Sequence, residues 1–249
     1  MSSRPEMISR LLGHNFGPTE TKVFPSKLSS GKIPAGQATL LHCREFPMSV
    51  TTPQIPSANG EPAWEAAYML PLQGSWSEAD FLKFHTTRMA ELVDGRLEIL
   101  PMPTLKHQRI LRWLLGVFEA AAPAGSVTLF APLPTRLFPR TIREPDLLYI
   151  APENAPGPDV DYPSHLDLAL EIVSPGSEAR QRDYEHKRAD YARAGISEYW
   201  IVDPQENQVT VLVLQNGTYA EHGVFKIGDT ASGLLLPGVR VDVGAMLNA

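Results

Sequence analysis

Residues 167–174, DLALEIVS, constrain this chain more than any other segment. Read as a strand, they put Leu168, Leu170 and Ile172 on one face and Ala169, Glu171 and Val173 on the other. Every position but one suits a dry interior. The exception is Glu171, in the middle of LALEIV. An ionised carboxylate inside a sheet is costly unless it is paired or bound to a metal. A Glu on the solvated face of an edge strand is the plain alternative, but Ala169 and Val173 share its face. Buried ionisable groups cluster at sites, so Glu171 is a candidate functional residue.

The neighbouring segments supply strands and helices around it. EPDLLYI reads as a strand opening after Pro145, SEYWIVDP and QVTVLVL as further strands, and SVTLFAP and PTRLFP as short ones. TLKHQRILRWLLGVFEAAA carries apolar residues at helical spacing (Ile110, Leu114, Val117, Phe118) and stops at Pro123. SEARQRDYEHKRADYARAG reads as a helix closed by Gly195. SEADFLKFHTTRMAELVDG reads as a helix capped by Ser77 that ends near Glu91, and Asp94-Gly95 marks a tight turn. The mixture predicts an α/β or α+β fold built on one central sheet.

Composition sets the outer bounds. The 249 residues hold 22 Lys/Arg against 28 Asp/Glu, a net charge of −6, and a single cysteine, Cys43. That excludes a polybasic coat, an internal disulfide framework and a thiolate zinc cage. No apolar run nears the roughly 18 residues of a membrane span. A cytoplasmic protein without a membrane partner is expected. Residues 1–76 carry nine prolines and hold no helix or strand period for long, so they are expected to form a flexible or poorly structured extension. Met48 opens MSVTTPQIP, which reads as an ordinary bacterial start, so 1–47 is either extension or an overlong start. The folded domain is expected over 77–249.

Asp146 alone is ordinary turn chemistry after a proline. Paired with Glu171 on an adjacent strand, it gives two carboxylates at one pocket, which suits Mg²⁺, an ion that takes oxygen ligands and keeps several waters. Tyr184, Lys187, Tyr191 and Ala194 share one helix face, so Lys187 can reach that pocket instead of solvent. Glu91 could add a carboxylate, although an exposed helix-end Glu is the simpler reading. His107 reads as a capping or surface histidine, and Asp183 as a helix ion-pair partner of Lys187 four residues on. Arg109, Arg112, Arg136, Arg140 and Arg143 are either a phosphate-contacting surface or ordinary surface charges. No Walker loop, GxGxxG, HExxH or nucleophile elbow occurs.

Taken in order, AELVDGRLEILPMP, KHQRIL, REPDLLYI, LALEIVSPGS and DYEHKRADYARAGISEYWIVDP resemble the Uma-two family of restriction endonucleases. The resemblance runs from about residue 77 to LLLPGVRVDV. It implies a PD-(D/E)XK, restriction-endonuclease-like core, a central mixed β-sheet flanked by helices. It implies Glu91, Asp146, Glu171 and Lys187 as catalytic residues, with Asp146, Glu171 and the Ile172 carbonyl holding Mg²⁺ or Mn²⁺. The expected activity is metal-dependent hydrolysis of DNA phosphodiesters; a catalytically silent DNA-binding or interaction module of the same fold is the alternative, and other phosphoesters are a third. One departure stands out: Val173 occupies the textual lysine position, and the resemblance assigns that role to Lys187 on the following helix. A homodimer is compatible with cutting both strands, but no residue argues for one.

Overall fold

The computed structural model of the chain describes residues 70–249 apart from His85 and Thr87. The expected extension 1–76 thus falls outside the described residues except for its last seven. One of those, Trp76, is buried, so the folded body begins ahead of the expected boundary at residue 77.

The chain builds a large and a small sheet. The large one has the order β10-β9-β8-β7-β6-β3, from β3 (Val127–Phe130), β6 (Leu147–Ile150), β7 (Leu168–Ile172), β8 (Glu198–Asp203), β9 (Gln208–Gln215) and β10 (Thr218–Lys226). It is mixed: β7 and β8 are parallel, and the other neighbours antiparallel. A parallel pair needs a crossover. Residues 177–193 supply it as α3 (Ser177–Gln181), a π turn (Arg182–His186) and α4 (Lys187–Arg193), ending at Gly195 with φ +80°.

The alternation expected for β7 is present. Leu168, Leu170 and Ile172 pack with Ile110, Leu114 and Phe118 of helix α2 (Leu105–Ala121), and Phe118 meets Trp200 edge-on at 5.6 Å. Ala169 and Val173 face the opposite cluster, with Tyr191, Ile196 and Tyr199. The central sheet is therefore covered by helices on both faces.

The small sheet has the order β2-β1-β5-β4, from β1 (Ala90–Val93), β2 (Arg96–Ile99), β4 (Thr135–Phe138) and β5 (Thr141–Arg143). It rests on Trp76, Phe81, Ala90, Leu92 and Ile142. Here the expectation of a helix running from Ser77 to Glu91 is corrected. Ser77 does cap helix α1 in a reciprocal capping box with Asp80, but α1 ends at Lys83. Glu91 lies on β1, in a hairpin closed by Asp94 (φ +47°) and Gly95 (φ +73°). Ala, Glu and Leu favour helix locally; pairing on both sides with β2 and β5 overrides that preference. Short strands β11 (Thr230–Ala231) and β12 (Val241–Asp242) and helix α5 (Val243–Leu247) complete the body. Among the described residues no helix is long and apolar enough to cross a membrane.

Candidate active site

β5 leads through Glu144 and Pro145 straight into β6, so the chain steps from the small sheet to the large one where Asp146 stands. Leu147 pairs with Leu170 in antiparallel register, and one further step sets Asp146 across from Glu171. The two expected carboxylates therefore share one wall. The pocket beside them is lined by His107, Glu144, Asp146, Glu171, Ile172, Asp183 and Lys187, with Met89, Leu100 and prolines 101 and 103 at its apolar side.

Lys187 arrives from the helix over this face and is 2% exposed. Its ammonium lies 2.8 Å from Glu171 Oε1 and 3.1 Å from Glu91 Oε1. Tyr191, one turn on, donates its hydroxyl proton to the same Glu171 oxygen at 2.5 Å. Asp146 Oδ2 accepts the Ile172 N–H at 2.7 Å and contacts His107 Nε2 at 3.1 Å. Thr104 caps α2 by accepting the His107 N–H, which sets the imidazole in the first turn above Asp146.

Glu91 converges on this cluster but does not line the pocket. It is fully buried, and both oxygens are taken: Oε1 by Lys187 and the Glu144 N–H at 2.9 Å, Oε2 by Arg143 at 2.7 Å. The simpler reading of Glu91 as an exposed helix-end residue is corrected: it is buried on a strand, opposite Glu98 on the hairpin, which puts two acids side by side. Arg143 resolves that repulsion by pairing with Glu91, Glu98 and Asp190.

Arg143 is accordingly not part of a phosphate-contacting surface. Of the other four arginines, Arg136 pairs with Glu78 at 2.7 Å, Arg140 turns to the Gly74 and Asp94 carbonyls, and Arg109 and Arg112 are exposed on α2. His107 is buried, not a surface group, and Asp183 pairs with Arg182 at 3.3 Å instead of with Lys187. Asp183 lies in the π turn four residues before Lys187, and both are buried.

Glu144 went unread in the sequence. The residue is 7% exposed, yet neither carboxylate oxygen has a hydrogen-bond or ion-pair partner among the described residues; Oε2 has almost no solvent contact. The run Arg143–Glu144–Pro145–Asp146, polar residues at the mouth of an all-apolar strand, was the available signal.

Electrostatics separates these acids. Burial would push Glu91 up, but Lys187 and Arg143 outweigh it and hold it at about 2. Burial, reinforced by the Asp146, Asp183 and Glu91 charges, outweighs Lys187 at Glu171 and lifts it to about 8. Burial and Glu91 lift Glu144 to about 7, and burial lifts Asp183 to about 6. Burial would lower Lys187, but Glu171 and Glu91 raise it above the ordinary lysine value. Glu171 and Glu91 together thus favour the charged ammonium.

The sequence profile of Uma2, described as "Putative restriction endonuclease", matches residues 76–244. The chain belongs to the Uma2 family. Among solved structures, this Uma2 chain is similar to a crystal structure from Anabaena variabilis ATCC 29413 described as a "putative nuclease belonging to DUF820". The TM-score is 0.56 at 19% identity, over 71% of this chain and 99% of that one, a likeness that establishes the fold. No curated protein matches. In this Uma2 chain Lys187 joins Glu91 to Glu171, and Asp146 lines the same pocket as Glu171 and Lys187.

A divalent ion fits this donor set on three observations. Asp146 Oδ1 and Glu171 Oε2 take no hydrogen bond or ion pair from any described residue, whereas their partner oxygens are each held twice. The pocket lining holds four acids (Glu144, Asp146, Glu171, Asp183) against Lys187 and Arg182. Ile172 also lines the pocket, and its backbone N–H already donates to Asp146 Oδ2 there. Among the described residues no three His, Cys, Asp or Glu side chains converge as a ready-made metal cage.

Proposed function

We propose that this chain is a divalent-metal-dependent endonuclease that hydrolyses DNA phosphodiesters. The observation that carries the reading is the juxtaposition of Asp146 and Glu171 on paired strands, each with one unengaged oxygen, beside a buried, charged Lys187.

Asp146, Glu171 and the backbone of Ile172 would hold Mg²⁺ or Mn²⁺. When bound, such an ion neutralises phosphate charge and lowers the pKa of water. The protein's own groups do the rest. His107 and the Ile172 N–H fix the Asp146 carboxylate, so its other oxygen faces the pocket. Tyr191 and Lys187 do the same for Glu171. Lys187 is held as a cation, so it serves as a fixed positive charge for a developing anion and not as the proton acceptor. Glu91 and Arg143 touch no substrate in this scheme; they are positioning residues that keep Lys187 charged and in place.

Supercoiled plasmid incubated with Mg²⁺ or Mn²⁺ tests the reading. The parent protein should nick or linearise it, and excess chelator, Asp146→Ala and Glu171→Ala should each abolish cleavage. Equal cleavage by Glu171→Ala, or a parent protein that cleaves only non-nucleic phosphoesters, sinks it. A parent that binds DNA and no metal identifies instead a silent module of the same fold.

A further inference from the structure

The metal pair uses two of the four acids lining the pocket, and Glu91 is spent on Lys187 and Arg143. Glu144 is left over. It is the one acid at this pocket that is nine-tenths buried while neither side-chain oxygen has a partner among the described residues. Its backbone is nonetheless pinned, because the Glu144 N–H donates to Glu91 Oε1 at 2.9 Å. Pro145 fixes the next φ, and Asp146 follows on β6. The residue is thus anchored beside the ion-holding acids, no described residue bonds its carboxylate, and Oε2 is shut off from solvent.

Buried carboxylates left in this state are rare, because the desolvation cost is unpaid. What they lack here is a donor or a cation. Among the described residues no protein group fills that role: Lys187 is committed to Glu91 and Glu171, Arg143 to three other acids, and Arg182 to Asp183. A directly ligated third carboxylate is disfavoured, since no three such side chains among the described residues converge to hold an ion. A hydrated ion resolves both facts. Mg²⁺ keeps several of its waters, and those waters are strong donors.

We infer that Glu144 is an outer-shell acceptor for the hydrated divalent ion held by Asp146 and Glu171, a positioning role that the expected Glu91 does not fill. The inference rests on the proposed metal-dependent reading of the same pocket. It makes a paired prediction that a purely structural Glu144 would not meet. In the metal-free protein, Glu144→Gln removes a buried, unpartnered acid next to Glu91, so the variant should melt no lower than the parent. With metal, the same substitution should weaken binding by about tenfold or more, the usual cost of losing an outer-shell partner.

Mn²⁺ titration by calorimetry, with thermal melts in chelator and in saturating Mn²⁺, reads both quantities on the full chain. Glu144→Gln should bind one Mn²⁺ per chain, as the parent does, at about tenfold lower affinity, and its Mn²⁺-induced rise in melting temperature should shrink in step. Glu144→Asp, which keeps the charge on a shorter arm, should recover part of the loss. Asp146→Ala should show no binding. Mn²⁺ affinity of Glu144→Gln within twofold of the parent overturns the inference while leaving the metal-dependent reading intact. A parent protein that binds no Mn²⁺ overturns both.

Discussion

Lys187 Nζ sits 2.8 Å from Glu171 Oε1, joining the crossover helix to the centre of the large sheet by a pair in which both groups are almost wholly buried. Removing one partner of such a pair strands the other. Lys187→Met should cost roughly 3–5 kcal/mol, the usual penalty for breaking a buried pair, and urea melts at pH 9, above the value of about 8 to which Glu171 is raised, measure it. The loss should be smaller at pH 6, where Glu171 binds a proton in parent and variant alike and needs no cationic partner. Equal losses at both pH values would show that the methionine disrupts packing and not charge balance.

The second buried network is centred on Arg143, which holds Glu91, Glu98 and Asp190 together. Arg143→Met leaves Glu91 with only Lys187 and should destabilise the protein by about 3 kcal/mol or more. Adding Glu91→Gln should recover part of that, because the double variant no longer buries an excess carboxylate. A double-mutant cycle by urea denaturation checks this, with a coupling of at least about 1 kcal/mol expected for groups in direct contact. Strict additivity would mean that the Arg143–Glu91 contact carries no weight in the fold.

The pairing of Asp146 with Glu171 was legible because it depends only on the two-residue period of two strongly apolar strands. Lys187 was legible because Tyr184, Tyr191 and Ala194 mark its helix face as inward. The Uma2 resemblance ordered these pieces, and the mixed sheet between helices followed. What stayed hidden depends on packing between elements distant in sequence. AELV consists largely of helix formers and becomes a strand only because β2 and β5 flank it. His107 is buried by the arrival of β6, and Glu144 by the docking of the small sheet against the large one. Asp183 shares the inward face of Lys187, but its partner is Arg182 beside it, which the four-residue spacing does not announce. Arg143 looked like one surface arginine among five until the register placed two acids opposite each other beside it.

Stability without metal should depend on pH in a direction set by the pocket. Glu171, Glu144 and Asp183 are all raised in the folded protein, to about 8, 7 and 6. Between the ordinary carboxylate range and those values the native state binds more protons than the unfolded chain. Stability therefore falls as pH rises through that window. Glu91 works the other way: held at about 2, it contributes stability above the ordinary carboxylate pKa that is lost as pH falls towards 2. In chelator, the melting temperature should be higher near pH 5 than near pH 8 and should decline again below pH 4. Glu171→Gln should flatten the alkaline limb. A melting temperature that rises steadily from pH 5 to pH 8 in the parent would contradict the raised carboxylates.

The same protons should be released when a divalent ion binds. Metal ligands must be deprotonated, so binding near neutral pH displaces the proton that Glu171 retains when its pKa is about 8. Mn²⁺ titrations at pH 7 in buffers of different ionisation enthalpy should give apparent enthalpies that differ in proportion, corresponding to net release of between about half and two protons per ion. Repeating them at pH 9, where Glu171 and Glu144 are already ionised, should shrink that release towards zero and tighten binding. Glu171→Gln should bind poorly at either pH, whereas Tyr191→Phe should still bind the ion, since it removes only the 2.5 Å hydrogen bond to the Glu171 oxygen already shared with Lys187. Buffer-independent enthalpies at pH 7 would mean that Glu171 is ionised before the metal arrives, and that Lys187 alone balances its charge.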